Sequence, residues 1–277
     1  MKPPGARRQR VGACSWSLQA RGPQELTEML VAIGVDCVQL HLDPLRTGAW
    51  PEAETVRELA RAGIEIRSGM MSMEGEDYST LESIRRTGGV RPSATWPANR
   101  AAAEANAKLA RRLGLSLVTL HAGFLPHDRQ DPERGLLLAR MGRLLTIFGA
   151  ERVRVGFETG QETSATLIGA LEEVGNGAGV NFDPANMILY GMGDPVAALR
   201  ALRGHDVLQL HIKDALPATT SGAWGEEVRV GTGRVDWPAF FAVVREGAFG
   251  DWMIEREAGS QRVEDMRAAR EFVEQFL

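Results

Sequence analysis

The chain predicts an α/β fold of the (β/α)8 TIM-barrel type in a single domain, on three observations. Eight short aliphatic runs of strand character alternate strictly with longer stretches of helical period. The length, 277 residues, is close to the roughly 250 residues that eight such units usually take. A doubly wound open sheet would place a glycine-rich phosphate loop after its first strand, and no GxGxxG stands there.

Each element has its own local reason. The basic MKPPGARRQR reads as a flexible head over 1–9, which leaves 10–277 for the barrel. VGACSW (11–16) is the first strand. PQELTEMLVAI follows, with Pro23 in its first turn and Gly34 just past its last periodic residue. VDCVQLH (35–41) leads to EAETVRELARA, which ends at Gly63, and IEIRSGM (64–70) is the third strand. The aperiodic MSMEGEDYSTLESIRRTGGVRPSATW then reads as a long loop before the helix NRAAAEANAKLARRL, closed by Gly114. LSLVTLH (115–121), RVRVGFE (152–158) and GVNFD (179–183) are strands four to six, separated by ERGLLLARMGRLLTIFG and SATLIGALEEV. DPVAALRALR, with Asp194 as N-cap and Pro195 in the first turn, precedes strand seven, VLQLHIK (207–213). WPAFFAVVRE, DWMIERE (251–257) and VEDMRAAREFVEQFL complete the alternation. Between them, Asp214 to Asp236 has no evident period and reads as a lid or binding loop. Its GTG (231–233) offers backbone N–H groups to an anion, and Asp214 reads as a loop cap.

Composition narrows the function classes. With 44% hydrophobic and 25% charged residues the chain can bury a core. A formal net charge of -4 lacks the cationic field that grips phosphate backbones, so nucleic acid is not an expected partner. Two cysteines, Cys14 and Cys37, cannot build a disulfide framework, which fits a reducing, cytoplasmic setting. No apolar run reaches membrane-spanning length, so no membrane is expected either.

In a barrel, chemistry gathers at the C-terminal ends of the strands. Polar residues fall there: His41, His121, Glu158, Asp183, His211 with Lys213, and Glu255 with Glu257. Strand alternation puts Gln209, His211 and Lys213 on one face, Asn181 with Asp183 on another, and Gln39 with His41 on a third. A single carboxylate at a strand end is more often a cap or an ion-pair partner, and a single histidine more often a satisfied core or surface group. Strands five to eight, however, deliver Glu158, Asp183, His211 and Glu255 into one mouth. Such an oxygen-rich set suits a divalent ion such as Mn, Mg or Co better than structural zinc.

At these residues the chain resembles the xylose isomerase-like TIM barrel superfamily, in its sugar (phosphate) isomerase/epimerase branch. The resemblance is carried by LHAGFLP (120–126), FETG (157–160), NFDPANMILYG (181–191), HIKDA (211–215), WGEEVRVGTGRVDW (224–237) and IEREAG (254–259). It implies one divalent ion, Mn foremost with Mg, Co or Zn as alternatives, held by those same four residues. It also implies that Glu158 and Glu255 serve as the acid/base pair of an isomerase or epimerase on a small ketose, working through an enediolate. An inosose dehydratase-like lyase and a sugar-binding barrel without turnover are the alternatives. Related enzymes are often dimers or tetramers, so a homo-oligomer is expected.

The chain departs from the pattern at several points. Asn186 stands where the 3-epimerases and the endonuclease IV type carry a histidine, and Ala215 to Pro217 lack the epimerases' substrate-binding arginine, leaving Lys213 as the available cation. Glu227 is nearest the place of a further zinc-binding histidine, which argues against a trinuclear zinc phosphodiesterase. The expected substrate contacts are Asn186, Lys213, His121, Glu227 and two aromatic residues, Trp16 and Trp224, for a sugar's apolar face. Trp96 shares the aromatic reading, while His127 and His205 read as loop and helix-end residues.

Overall fold

Aliphatic strands that bury both faces must also pair on both edges, and eight of them do so by closing on one another. The computed structural model describes residues 9–220, 222–247 and 249–277. Its first half runs β1 (Val11–Cys14), α1 (Pro23–Ile33), β2 (Cys37–His41), α2 (Asp43–Arg46), α3 (Glu52–Arg61), β3 (Glu65–Met70), α4 (Leu81–Thr87), α5 (Trp96–Arg112), β4 (Leu117–Leu120) and α6 (Pro132–Ala150). The second half runs β5 (Arg154–Glu158), α7 (Ser164–Val174), β6 (Ala178–Phe182), α8 (Pro184–Leu189), α9 (Pro195–Ala201), β7 (Val207–Ile212), β8 (Asp214–Leu216), β9 (Glu226–Val228), α10 (Trp237–Glu246), β10 (Asp251–Ile254) and α11 (Arg262–Glu274). Parallel pairing closes the barrel in the order β1-β10-β7-β6-β5-β4-β3-β2, while β8 and β9 form a separate antiparallel pair. This is a TIM barrel in one domain.

All eight expected strands are present, several of them shorter than expected. β10 stops at Ile254, and the residues after Cys14 turn into a 3-10 helix, Ser15–Leu18. Of the head read over 1–9, residues 1–8 lie outside the described residues; Gln9 donates to the Phe249 carbonyl at 2.8 Å. Four elements arise where no period was read: α2, α4, α8 and the β8–β9 pair. The anion expected on the GTG amides is supplied by the chain itself, since Gly231 N and Gly233 N donate to Asp214 Oδ2 at 2.9 and 3.1 Å.

The core lies between barrel and helices, where Phe157, Phe182, Phe240 and Phe241 are fully buried. Inside the barrel the filling is polar at one level. Gln39, Ser68, Thr119, Asn181 and Gln209 are each at most 1% exposed. Gln209 Nε2 reaches Gln39 Oε1 at 2.7 Å although β7 and β2 are not neighbours, so this bond crosses the lumen. Buried amides cost free energy unless they are bonded, and these, bonded to one another, support the residues at the strand ends above them.

Candidate metal centre

Glu158 ends β5, Asp183 directly follows β6, His211 is the penultimate residue of β7 and Glu255 directly follows β10. One ligand atom from each lies within 4.8 Å of all the others. His211 Nδ1 stands 3.1 Å from Glu255 Oε2, 3.4 Å from Asp183 Oδ2 and 3.5 Å from Glu158 Oε1. Neither His211 Nδ1 nor Asp183 Oδ2 has a hydrogen-bond partner, although both are buried. Orphaned atoms of this kind, converging from one imidazole and three carboxylates, are a donor set that fits a divalent cation.

Local structure aims each group. Asp183 caps α8, its Oδ1 accepting from Asn186 N at 2.9 Å, and this turns Oδ2 into the barrel. Thr159 Oγ1 accepts from Asp183 N at 2.8 Å and ties the ends of β5 and β6 together. Gly160, at φ +133, lets Asn186 approach where a Cβ would collide with it. Asn186 Nδ2 then donates to Glu158 Oε1 at 3.0 Å, and Asn181 Nδ2 to Oε2 at 3.1 Å. Glu255 Oε1 accepts from Trp16 Nε1 at 2.7 Å and its Oε2 from Lys213 Nζ at 3.1 Å.

Charge within the cluster is largely compensated. Burial works to raise the Glu158 carboxyl, but His121 and His211 bring it below its ordinary value. Burial is likewise outweighed at Asp183 and Glu255, by Lys213 first and His211 after it. Burial opposes charge on His211, yet Cys14 and then the facing carboxylates of Glu158, Glu255 and Asp183 hold its pKa well above the usual imidazole value. At the buried Cys14, desolvation pushes the thiol up to about 12.

A cavity of about 540 Å³ opens over the cluster and is lined by Glu158 and Glu255, whereas the fully buried Asp183 and His211 do not line it. Every expected substrate contact lines it too: Trp16, His121, Asn186, Lys213, Trp224 and Glu227. Their contacts differ. His121 Nε2 is 3.5 Å from Glu158 Oε1, and Trp224 packs on Tyr190 with ring centroids 4.9 Å apart. Glu227 Oε1 accepts from Arg256 Nη1 at 2.9 Å and Glu257 N at 3.0 Å, so this carboxylate pins the β9 strand to the chain after β10. Trp96 does not line the cavity; its ring lies under the Arg140 guanidinium at 5.3 Å.

Sequence reasoning places Glu257 at a strand end beside Glu255 but assigns it no role; its Oε2 accepts from Lys213 Nζ at 2.7 Å. The two-residue alternation from Glu255 was the available signal. It also gave too little weight to His41, which lines the cavity with Nε2 3.1 Å from Asp43 Oδ2. Tyr78 and Tyr190, on loops without period, gave no signal.

A sequence model of the family described as xylose isomerase-like TIM barrel matches residues 28–276. No curated protein matches the chain. Among solved structures, a xylose isomerase domain protein from Planctomyces limnophilus is 32% identical, with a TM-score of 0.83 over 90% of this chain and 91% of that one. An L-ribulose 3-epimerase is 16% identical, with a TM-score of 0.74 over 98% and 95% of the two chains. A xylose isomerase-like TIM barrel protein from Mycobacterium smegmatis, solved in complex with magnesium, is 16% identical, with a TM-score of 0.72 over 98% and 97%. The match over nearly the whole length, together with the closed parallel barrel, places this chain in the xylose isomerase-like TIM barrel family.

Proposed function

We propose that the protein is a metal-dependent isomerase or epimerase of a small ketose or related sugar, with Glu158, Asp183, His211 and Glu255 holding one divalent ion. Mn is the first candidate, with Mg, Co and Zn as alternatives. One observation carries the reading: of the four clustered groups, only Glu158 and Glu255 also line the cavity, so these two can face both an ion and a substrate. A divalent cation, when bound, supplies polarisation of a substrate carbonyl and charge opposite a developing enediolate.

The chain's own groups do the rest. Glu158, kept ionised, takes the proton from the carbon beside the carbonyl, and Asn186 and Asn181 hold its oxygens in place. Glu255 stands at the end of β10, three positions round the barrel from β5, and delivers a proton, drawn from solvent, on the other side, steadied by Trp16 and Lys213. Glu158 releases its own proton to solvent. Return to the same carbon gives an epimer and return to its neighbour an isomer. Trp16, Trp224, His121 and Asn186 are assigned to substrate, Lys213 to both substrate and Glu255, and Glu227 to fixing the cavity wall. The reading includes a cytoplasmic homo-oligomer without nucleic-acid or membrane partners; among the described residues no helix is long and apolar enough to cross a membrane.

Calorimetry of the metal-stripped protein with Mn²⁺ tests this first. Single-site binding is expected, weakened about 100-fold or more by His211→Ala. The loaded enzyme in D₂O should then introduce one deuterium at a carbon next to the carbonyl of a free ketose, and Glu158→Gln should abolish that exchange. No Mn²⁺ binding by the wild type would sink the reading. An enone absorbance in the product would move it to the dehydratase.

A further inference from the structure

We propose that Gln39 decides which ring nitrogen of His211 serves the metal, and thereby keeps the Cys14 thiol out of the ligand set. The inference rests on the reading of the cluster as a metal centre, and it concerns a residue of the barrel interior that contacts neither cavity nor ion.

His211 stands between two donor sets. Its Nδ1 faces Glu158, Asp183 and Glu255. Its Nε2 lies 3.7 Å from Cys14 Sγ, and Cys14, His211 and Glu255 form a second group whose ligand atoms all fall within 4.8 Å of one another. A neutral imidazole offers one lone pair and one N–H, so whichever nitrogen keeps the proton forfeits its metal. Proton on Nε2 gives the oxygen-rich site, which suits hard ions; a bare Nε2 gives a thiol-containing site, which suits soft ones.

The acceptor that holds a proton on Nε2 is Gln39 Oε1, 2.9 Å away. Which end of the Gln39 amide faces His211 is itself fixed. The Glu158 carboxylate can only accept and takes Asn181 Nδ2 at 3.1 Å, so Asn181 Oδ1 faces Gln209 Nε2 at 3.1 Å. That nitrogen also donates to Gln39 Oε1 at 2.7 Å, with Ser68 Oγ on Gln209 Oε1 at 2.6 Å. Gln39 Nε2 in turn donates to Thr119 Oγ1 at 2.7 Å. Side chains from β3, β4, β6 and β7 thus point the Gln39 carbonyl at His211, and Gln39, Ser68, Thr119, Asn181 and Gln209 are each at most 1% exposed. Asn181 Nδ2, 3.0 Å from Nε2, is a donor that would pair with a bare Nε2, so the closer Gln39 Oε1 at 2.9 Å is the group that holds the proton there against it. With Nδ1 on a cation and Gln39 removed, the Nε2 proton is buried without a partner.

The test compares Gln39→Leu, Gln39→Glu and wild type by Mn²⁺ calorimetry, and by Co²⁺ absorption, where a thiolate-to-cobalt charge-transfer band reports Cys14 as a ligand. Gln39→Leu should weaken Mn²⁺ binding about tenfold or more, and with Co²⁺ it should gain a thiolate band that disappears when Cys14→Ser is added. Gln39→Glu keeps an acceptor oxygen and should restore Mn²⁺ affinity. A thiolate band in the wild type, unchanged Mn²⁺ affinity in Gln39→Leu, or an equal loss in Gln39→Glu would overturn the inference. Should the leucine variant not fold, ¹⁵N-histidine NMR of the Zn²⁺-loaded wild type decides alone: a proton on His211 Nε2 supports the proposal and a metal there refutes it. A wild type that binds no Mn²⁺ fails the functional reading, and the inference falls with it.

Discussion

His211 must give up a proton before its Nδ1 can take a cation, and Cys14 together with the carboxylates around it holds its pKa well above the ordinary imidazole value. Below that raised pKa, ion and proton compete for one lone pair. Mn²⁺ affinity should therefore climb about tenfold per pH unit through neutrality and flatten above the raised pKa. Isothermal titrations at several pH values, in buffers of different ionisation enthalpy, should show close to one proton released. A flat profile would mean that His211 is not a ligand. Glu162 makes a second prediction. It is 3% exposed, its Oε1 lacks a partner, and burial followed by the charge of Glu158 pushes its pKa up to about 8. The folded state then binds more protons than the unfolded one from about pH 4.5 upward, so stability falls as pH rises and the loss is complete above about 8. Glu162→Gln should leave urea stability nearly unchanged at pH 5 and raise it by about 2–4 kcal/mol at pH 8.5. The four candidate ligands were legible because strand ends and alternation are local properties. The Gln39–Gln209 bond was not, because it joins strands 170 residues apart across the lumen, and only barrel closure brings them together.

At the scale of elements, period made the eight strands and the long helices readable, and short elements escaped. α4 opens with a capping box in which Thr80 pairs with Ser83. Its third position holds serine instead of the glutamate or glutamine that marks such a box in sequence, and the seven residues of Leu81–Thr87 are too few to show a period. Gly89 then crosses β4's exit at φ +63, where a Cβ would run into the Ala122 carbonyl. The β8–β9 pair depends on one carboxylate. Asp214 accepts from Gly231 N, Gly233 N, Val235 N and Trp237 Nε1 at 2.9–3.2 Å, and this gathers the loop between β9 and α10 around itself. Asp214→Ala leaves these donors without an acceptor and should cost about 3 kcal/mol or more. Chemical denaturation would record the loss, and hydrogen exchange should locate it in residues 226–237. A loss under 1 kcal/mol would mean that the loop is held chiefly by Glu227 and Arg256.

The whole molecule divides the barrel into two halves. β5, β6, β7 and β10 are consecutive in the barrel order and carry the four candidate ligands, while β2, β3 and β4 present His41, Met70 and Leu120 to the opposite side of the cavity. Residues 158 to 255 must all fold into register before the four donors meet, so the unfolded chain holds no comparable site. An ion that binds only the folded state stabilises it by mass action, about 2.7 kcal/mol at a concentration 100 times its dissociation constant. For a chain of this size that corresponds to a rise in Tm of about 4–5 °C. Calorimetric scans should show this rise on adding Mn²⁺ and its reversal by a chelator. Asp183→Asn separates coordination from architecture, since its amide oxygen can still cap α8 while its nitrogen replaces the Oδ2 aimed at the cluster. The variant should match the metal-stripped wild type in Tm and gain nothing from Mn²⁺. If it gains as much as the wild type, the ion binds elsewhere and the convergence of these four strand ends serves the fold alone.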